Sequence, residues 1–550
     1  MIKYRFAITI LFFSLAACDN KQQADVIFFN ARAYTVNADF DSAEAFVIKD
    51  KKFIAVGNNN SIRNNYHAEK VIDLTGLPVY PGFIDGHAHF YRYSLGLQQI
   101  DLVGTQSFNE IVARLQAYLV RYPDAQWLIG NGWDQNDWGN NLPFPKKDTL
   151  DILFPDRVVF LTRIDAHAVL TNQKGLNVAG IKSNTVVAGG EIVKANGKLS
   201  GILIDNAIDL LNVHNPKLSK KEQAALIKKG QANCFSVGLT SLVDAGLEKS
   251  EIDFLDQLQK DSILKMRIYA MLSPSAANID YYFNNGHYKT DHMHVRSFKI
   301  YGDGALGSRG ACLLKPYHDD SLNHGFLLSK TEIFDSLAKD FALKNFQMNT
   351  HAIGDSTNRL ITDIYAKYLK GKNDKRWRIE HAQIVNTSDI TKFGDYNILP
   401  SVQPTHATSD MYWADERLGE KRLKTAYAYK DLLAENEMLI LGSDFPVEHI
   451  NPIYGFHAAV ARQDNNNFPK DGFQSENAIS RQAALKGMTI WAAYGQFEEN
   501  EKGSIEVGKL ADFVILDQDI MTTALEKLRN TKVLQTWSGG EKVYEIAVGR

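Results

Sequence analysis

The stretch Pro81-Gly82-Phe83-Ile84-Asp85-Gly86-His87-Ala88-His89 ends a strand-like run with two histidines in His-x-His spacing. On a β-strand, residues i and i+2 face the same side, so both imidazoles can reach one metal ion. Imidazole suits zinc, iron and nickel. With 15 histidines in 550 residues, a chance pair is the competing reading of this stretch taken alone. Candidate ligands recur, however, at the ends of later strand-like segments, each followed by a loop signal.

Outward from this stretch, the middle of the chain alternates apolar β-branched runs with helical patterns, which points to parallel βα units. Eight barrel-strand candidates fall at 82–87, 240–245, 266–272, 298–301, 347–351, 377–381, 398–403 and 438–443, with helical patterns such as 332–342 and 357–369 between many of them. Eight such units predict an α/β fold, a (β/α)8 barrel of the TIM type, whose catalytic groups stand at the C-terminal ends of the strands. The gap between the first two candidates is far too long for one crossover. Roughly 102–232 must therefore hold a large insertion, with a strand at 158–161 and a hairpin around Asn196-Gly197. Short alternating runs at 26–29, 31–36, 45–48 and 53–56 read as β, with Asp50-Lys51-Lys52 as a hairpin turn. Runs at 511–516 and 543–548 repeat the style. These ends predict one β-sandwich built from 25–80 and 501–550 around a barrel at 81–500.

Reading the strand ends in order gives His87 and His89, then Lys299, His351, His381 and Asp444. Four neutral imidazoles and a carboxylate satisfy zinc's preference for nitrogen and oxygen ligands. Lys299 is the odd member, because an ammonium cannot bind a metal. Flanking dications would depress its pKa and favour the free amine. That amine can add carbon dioxide to give a carbamate, whose two oxygens can bridge two metals.

Several longer motifs accompany this set. Asp25-Val26-Ile27 opens the first β segment, and Gly503-Ser504-Ile505-Glu506-Val507-Gly508-Lys509-Leu510-Ala511-Asp512 leads back into the last. Between them come Gly132-Trp133-Asp134, Asp165-Ala166-His167, Gly302-Asp303-Gly304, His351-Ala352-Ile353-Gly354-Asp355 and Gln403-Pro404-Thr405-His406. In these segments the chain resembles the amidohydrolase superfamily, in its type-3 branch that includes N-substituted formamide deformylase. The resemblance covers essentially all of the mature chain. It implies a barrel with a β-sandwich and metal roles for His87, His89, Lys299, His351, His381 and Asp444. In a two-metal version, with two zinc ions per chain as the expected pair, His87, His89, the Lys299 carbamate and Asp444 would hold the more buried ion, and the carbamate, His351 and His381 the other. Asp444 would also serve as general acid/base. The implied reaction is hydrolysis of a non-peptide carbon–nitrogen bond, foremost a linear amide of the N-acyl or N-formyl kind. Hydrolysis of a cyclic amide or ester by the same site is the alternative. A ligand-binding lipoprotein on a decayed scaffold is the reading from another class, and the complete ligand set argues against it.

The remaining marked residues divide less cleanly. His167 follows a strand-like run inside the insertion and could hydrogen-bond substrate or be structural. Trp133 and Asp134 could wall the pocket, or be a buried indole and a satisfied carboxylate. Arg309 could hold a substrate carboxylate, although pairing with a local carboxylate is the favoured reading. Gln403 and His406 end the seventh strand and could line the mouth. His292 and His294 repeat the His-x-His spacing but precede the fourth strand, on the barrel's stability face.

The chain's start bears on location. Lys3 and Arg5 form a short basic segment, residues 6–15 are apolar apart from Thr9 and Ser14, and Leu15-Ala16-Ala17-Cys18 follows. The apolar run is too short for a transmembrane helix and fits a secretory signal. Small residues before Cys18 resemble a bacterial lipoprotein signal over 1–17. Cys18 would then be lipidated, 18–24 would be a tether, and the protein would be exported and membrane-anchored, facing the periplasm or the cell exterior. An ordinary signal peptide is the alternative. Cys234 and Cys312 are too few for a disulfide framework. A formal charge of −3 with scattered Lys and Arg leaves no basic field for nucleic acid. The expected partners are a small-molecule substrate and, through the lipid, a membrane; a homo-oligomer is compatible with the sequence.

Overall fold

The computed structural model describes residues 21–139 and 142–547. Eight parallel strands run in sequence around a barrel: β1 (Phe83–Ala88), β2 (Leu239–Leu247), β3 (Arg267–Leu272), β4 (Met293–Tyr301), β5 (Gln347–Ala352), β6 (Arg378–His381), β7 (Leu399–Val402) and β8 (Ile440–Leu441). Each lies on one of the eight expected runs. Alternation decides what faces where. On β4, Phe298 points outward and stacks at 4.4 Å on Phe341 of helix Thr331–Lys344. On β5, the Thr350 hydroxyl meets Tyr365 of helix Asp355–Leu369 at 2.8 Å. Lys299 and His351, one residue from these outward groups, are left to the interior.

The barrel closes where β8 meets β1, and that seam depends on close backbone approach. Just past β8, Asp444 donates its amide to the His87 carbonyl at 2.7 Å, and His89 donates to that of Phe445 at 2.9 Å. A Cβ on Gly442 would stand 2.4 Å from the His87 nitrogen, and one on Gly86 would stand 2.6 Å from the Leu441 carbonyl oxygen. No side chain fits at either position without parting the strands.

Two sheets are built from the chain ends. Strands Lys52–Gly57, Ala45–Lys49, Gln22–Phe29 and Tyr66–Asp73 make one, and Glu541–Glu545, Val533–Ser538, Phe513–Leu516, Pro78–Pro81, Arg32–Tyr34 and Ser42–Ala43 the other. Phe28, Phe46, Phe53, Phe513 and Trp537 from both sheets share one apolar cluster. The first strand starts at Gln22, inside the segment expected to be a tether, because pairing with 66–73 extends it toward the N-terminus. Both expected hairpin turns are present: Asp50-Lys51 and Asn196-Gly197 carry positive φ.

A further six-stranded sheet spans Ile100–Asp205, in the order Gly190–Ala195, Lys198–Asp205, Ala168–Thr171, Val158–Arg163, Trp127–Trp133, Ile100–Asp101. Apolar clusters cover both of its faces, which explains why Val158–Arg163 is buried throughout. The expected insertion reached 232, but helix Lys220–Ser236 belongs with the barrel. Its Ile227, Cys234 and Phe235 join Phe90 and Leu239 in the barrel's own core. Among the described residues, no helix is long and apolar enough to cross a membrane.

Candidate metal centre and active site

The strand ends bring the expected ligands together at the C-terminal mouth. His89 Nε2 lies 3.1 Å and His87 Nε2 3.6 Å from Asp444 Oδ1, and Lys299 Nζ is 3.0 Å from His87 Nε2. The His381 ring stands 5.1 Å from His87 and 4.5 Å from His351. One ligand atom each of His87, His381 and Asp444 lies within 4.8 Å of the others, close enough to share an ion. This compact group crosses the division in which His381 pairs with His351 apart from His87 and Asp444. Its geometry depends on unusual backbone. His381 and Asp444 hold φ of 72° and 60°, a region that non-glycine residues rarely adopt. On β6, Glu380 faces inward, so plain alternation would turn His381 outward; the left-handed twist at the strand end brings it back.

Burial sets the charges. It pushes the His87 imidazole down to about 4, with Lys299 adding to it against the pull of Glu380 and Asp444. Burial, then the neighbouring cations and imidazoles, holds His351 and His381 well below the ordinary histidine value. Burial alone would raise Asp444, but the His89 hydrogen bond and the charges of the surrounding imidazoles keep it well below the usual carboxylate range. Lys299 is pushed down to about 8 by burial, and no carboxylate is paired with it among the described residues. Neutral imidazoles beside an ionised carboxylate are a metal-ligating set. His351 Nε2 and His381 Nδ1 are buried without a hydrogen-bond partner beside the ionised Asp444, so the residues present fit a divalent cation.

Behind His87 lies a carboxylate that the reading of the motifs missed. Glu380 Oε2 takes the His87 Nδ1 hydrogen, and Arg378 pairs with Glu380 Oε1 at 2.7 Å. Arg378 also donates to the Gly86 carbonyl at 2.6 Å and to Ser401 at 2.7 Å, tying β6 to β1 and β7. The signal was present: Arg378-Ile379-Glu380 places two opposite charges on the inward face of a buried strand. Because Nδ1 is taken, His87 must offer Nε2 to a ligand.

The sequence profile of the amidohydrolase family matches residues 70–544. The chain belongs to the amidohydrolase family. It is 30% identical to the protein LONG AFTER FAR-RED 3 of Arabidopsis thaliana over 95% of this chain and 92% of that one. It is 25% identical to the N-substituted formamide deformylase of Arthrobacter pascens over 95% and 99% of the two chains. Among solved structures, an uncharacterized metal-dependent hydrolase from Pyrococcus horikoshii OT3 superposes with a TM-score of 0.74 at 25% identity, covering 91% of this chain and 99% of that one. This amidohydrolase is a hydrolase of carbon–nitrogen bonds.

Other marked residues of the amidohydrolase fall in several places. His167 stands beside the centre, its ring 5.2 Å from His351. Burial would lower its pKa, but Asp205, bonded to Nδ1, outweighs this and raises it. Gln403 follows β7 buried, with Oε1 unpartnered, and His406 Nε2 lies 3.8 Å from Asp444 Oδ2, so His406 borders the centre. Trp133 does not wall the pocket. It is fully buried in the insertion's core and donates its indole N–H to the Leu161 carbonyl at 2.8 Å. Asp134 is engaged by Arg163, which also binds Asp165 at 2.5 Å, so this carboxylate braces the insertion. Arg309 is paired with Asp319 at 2.7 Å, the local carboxylate partner that was favoured for it. His294 lies within β4, one residue past its start, and meets Glu498 at 3.3 Å at the opposite end of the barrel. Cys18 lies outside the described residues. Asp205 was not singled out from sequence, although it too ends an apolar strand, Ile202-Leu203-Ile204.

Proposed function

We propose that this amidohydrolase cleaves a linear amide, an N-acyl or N-formyl compound, to a carboxylic acid and an amine. The reading is carried by one observation: the buried ring nitrogens of His351 and His381, without hydrogen-bond partners, converge with Asp444 beside a buried Lys299 that pairs with no carboxylate among the described residues. In this reading His87, His89, Lys299, His351, His381 and Asp444 would hold two zinc ions, with Lys299 serving as a ligand in its carbamate form. Bound divalent ions supply Lewis acidity toward a carbonyl oxygen and acidify water. Asp444 takes the proton released as water adds to the carbonyl carbon, and delivers it to the nitrogen as the carbon–nitrogen bond breaks. Its ionised state and its position between His89 and His406 suit the first of these steps. The deformylase similarity supports an amide, and the two terminal sheets are read as a β-sandwich flanking the barrel. Export and anchoring through Cys18 belong to the same proposal.

The test combines elemental analysis with an assay panel of N-formyl and N-acyl amines, lactams and esters. About two divalent ions per chain and turnover of linear amides are expected. Lys299→Ala should abolish turnover and lower the metal content. Protein that neither carries nor takes up metal, or that hydrolyses only lactams or esters, overturns the reading.

A further inference from the structure

One cation at the mouth takes no part in the chemistry above. Arg92 lies in the first turn of helix Phe90–Gly96, which starts directly after His89. Phe90, Tyr91 and Ser94 of this helix turn to the core, whereas Arg92 is exposed. His89 caps the helix three positions before Arg92 and accepts the Tyr93 amide at 2.8 Å, so imidazole and guanidinium share one side of it. Their surroundings are those of a cleft. Burial pulls the pKa of this exposed arginine below its ordinary value, against the pull of Tyr301, Asp444 and Asp165. Its charge is felt in turn by His89 and Tyr301.

Among the described residues, nothing takes up that charge. The two carboxylates near it are engaged elsewhere: Asp165 by Arg163 at 2.5 Å, and Asp444 by His89 at 3.1 Å. Arg92 has no ion-pair or hydrogen-bond partner among the described residues, and neither does the Tyr301 hydroxyl. Tyr301 ends β4 two residues past Lys299 and so shares its inward face. Its ring stands 5.0 Å from Lys299 Nζ and 6.0 Å from His351, and the residue is 37% exposed. Gly246, at φ 83°, leaves room for the hydroxyl, since a Cβ there would lie 3.1 Å from it. The same end of β2 holds His89, whose Nδ1 bonds the Ala245 carbonyl at 3.1 Å. One strand end therefore places the imidazole and the phenol, and both feel the Arg92 charge.

We propose that Arg92 and the Tyr301 hydroxyl bind a carboxylate carried by the substrate. The enzyme then selects anionic amides, N-formyl or N-acyl compounds of amino acids or aminobenzoic acids, over neutral ones. The inference rests on the amidase reading. A guanidinium is always charged, and its parallel N–H donors match the two oxygens of a carboxylate. A phenol, protonated at neutral pH, adds one more donor. Neither group acts on the scissile bond; they fix the far end of the substrate while its carbonyl lies at the centre. An analogue without the carboxylate leaves both donors unpaired, and a site built to bond a polar group discriminates against the compound that lacks it.

The experiment uses the metal-loaded enzyme as wild type, Arg92→Gln, Arg92→Lys and Tyr301→Phe. The probes are two matched pairs: 4-formamidobenzoate with N-formylaniline, and N-acetylglycine with N-ethylacetamide. Within each pair the quantity read is the ratio of kcat/KM, carboxylate over neutral. Wild type should favour the carboxylate in at least one pair. In that pair Arg92→Gln should lower the ratio by about 10–100-fold, the worth of a hydrogen bond to a charged group, chiefly through KM. Arg92→Lys should keep part of the preference, and Tyr301→Phe should lower it by less than Arg92→Gln. Arg92 is exposed and holds no described group of the protein, so its variants should melt like wild type. A wild-type ratio at or below one in both pairs overturns the proposal, and so does an Arg92→Gln variant that loses equally on both members of a pair. A wild type that hydrolyses none of the probes overturns the amidase reading instead. The carboxylate site is then judged by the same ratios, taken from calorimetric dissociation constants of the probes.

Discussion

At the residue scale, Asp444 and Glu380 show how position divides the labour of carboxylates. Asp444 faces the cluster of unpartnered imidazole nitrogens, and Glu380 sits behind His87, clasped by Arg378. Asp444→Asn keeps an oxygen that can ligate an ion but cannot accept a proton from water. Metal content should stay near wild type while kcat falls by about 10²–10⁴-fold, the usual contribution of a general acid/base. A few-fold loss with intact metal would leave Asp444 as a ligand alone. Glu380→Gln should do the reverse. Without the carboxylate, His87 loses the partner that fixes its tautomer, and metal affinity should weaken by about 10–100-fold. Competition with a chelator measures it, and unchanged affinity would confine Glu380 to bracing the barrel through Arg378.

At the element scale, the seam between β1 and β8 carries the site. His87, His89 and Asp444 all stand on it, and the backbone approach at Gly442 and Gly86 sets their spacing. Gly442→Ala would press a methyl against the His87 backbone. We expect a cost of about 1–3 kcal/mol, typical of forcing volume into a packed interior, together with weaker metal binding. Thermal melts with and without added zinc test it: a variant that melts and binds like wild type would show that the seam relaxes freely. The same scale explains why the eight strands were legible in advance. Each is an apolar run with a polar or ligating residue at its end, and period-two alternation then assigns faces without further information. The helix 220–236 was not separable from the insertion in this way, because a helix carries no mark of which core its apolar face will join.

At the scale of the whole molecule, the stability end of the barrel is tied to the C-terminal segment by buried charge. Glu498 meets Lys502 at 2.5 Å and His294 at 3.3 Å, and Lys502 reaches Ser241 on β2. Arg267 at the start of β3 pairs with Asp512 at 2.9 Å, beside the strand Phe513–Leu516. Burial would raise the pKa of Glu498, but Lys502 and His294 outweigh it and hold the group at about 2, against 4.5 for an ordinary glutamate. A depressed carboxylate stabilises the fold fully above the unfolded value, and that contribution is lost as pH falls toward the folded one. Glu498→Gln should therefore destabilise the protein near neutral pH, by up to ~3–5 kcal/mol for a broken buried pair. The gap to wild type should close as pH falls from about 4.5 toward 2. Denaturant melts across that window check the sign, and a gap constant with pH would remove Glu498 from the acid response.

What the sequence determined by itself is the local part. His-x-His at one strand end, Lys299 and His351 on inward faces, and the Asp-Lys and Asn-Gly hairpins all follow from periods of two and from turn chemistry within a few residues. What only the tertiary structure decided is which groups meet across the chain. Glu380 finds His87 from 293 residues away, and Asp205 finds His167 across two strands of the insertion and a barrel loop that has glycine where it must. Trp133 shares a motif with candidate site residues yet spends its surface on the insertion's core. Alternation states that a side chain is turned to one face; what stands opposite that face depends on how separate sheets pack, and packing is set by contacts that no local pattern encodes.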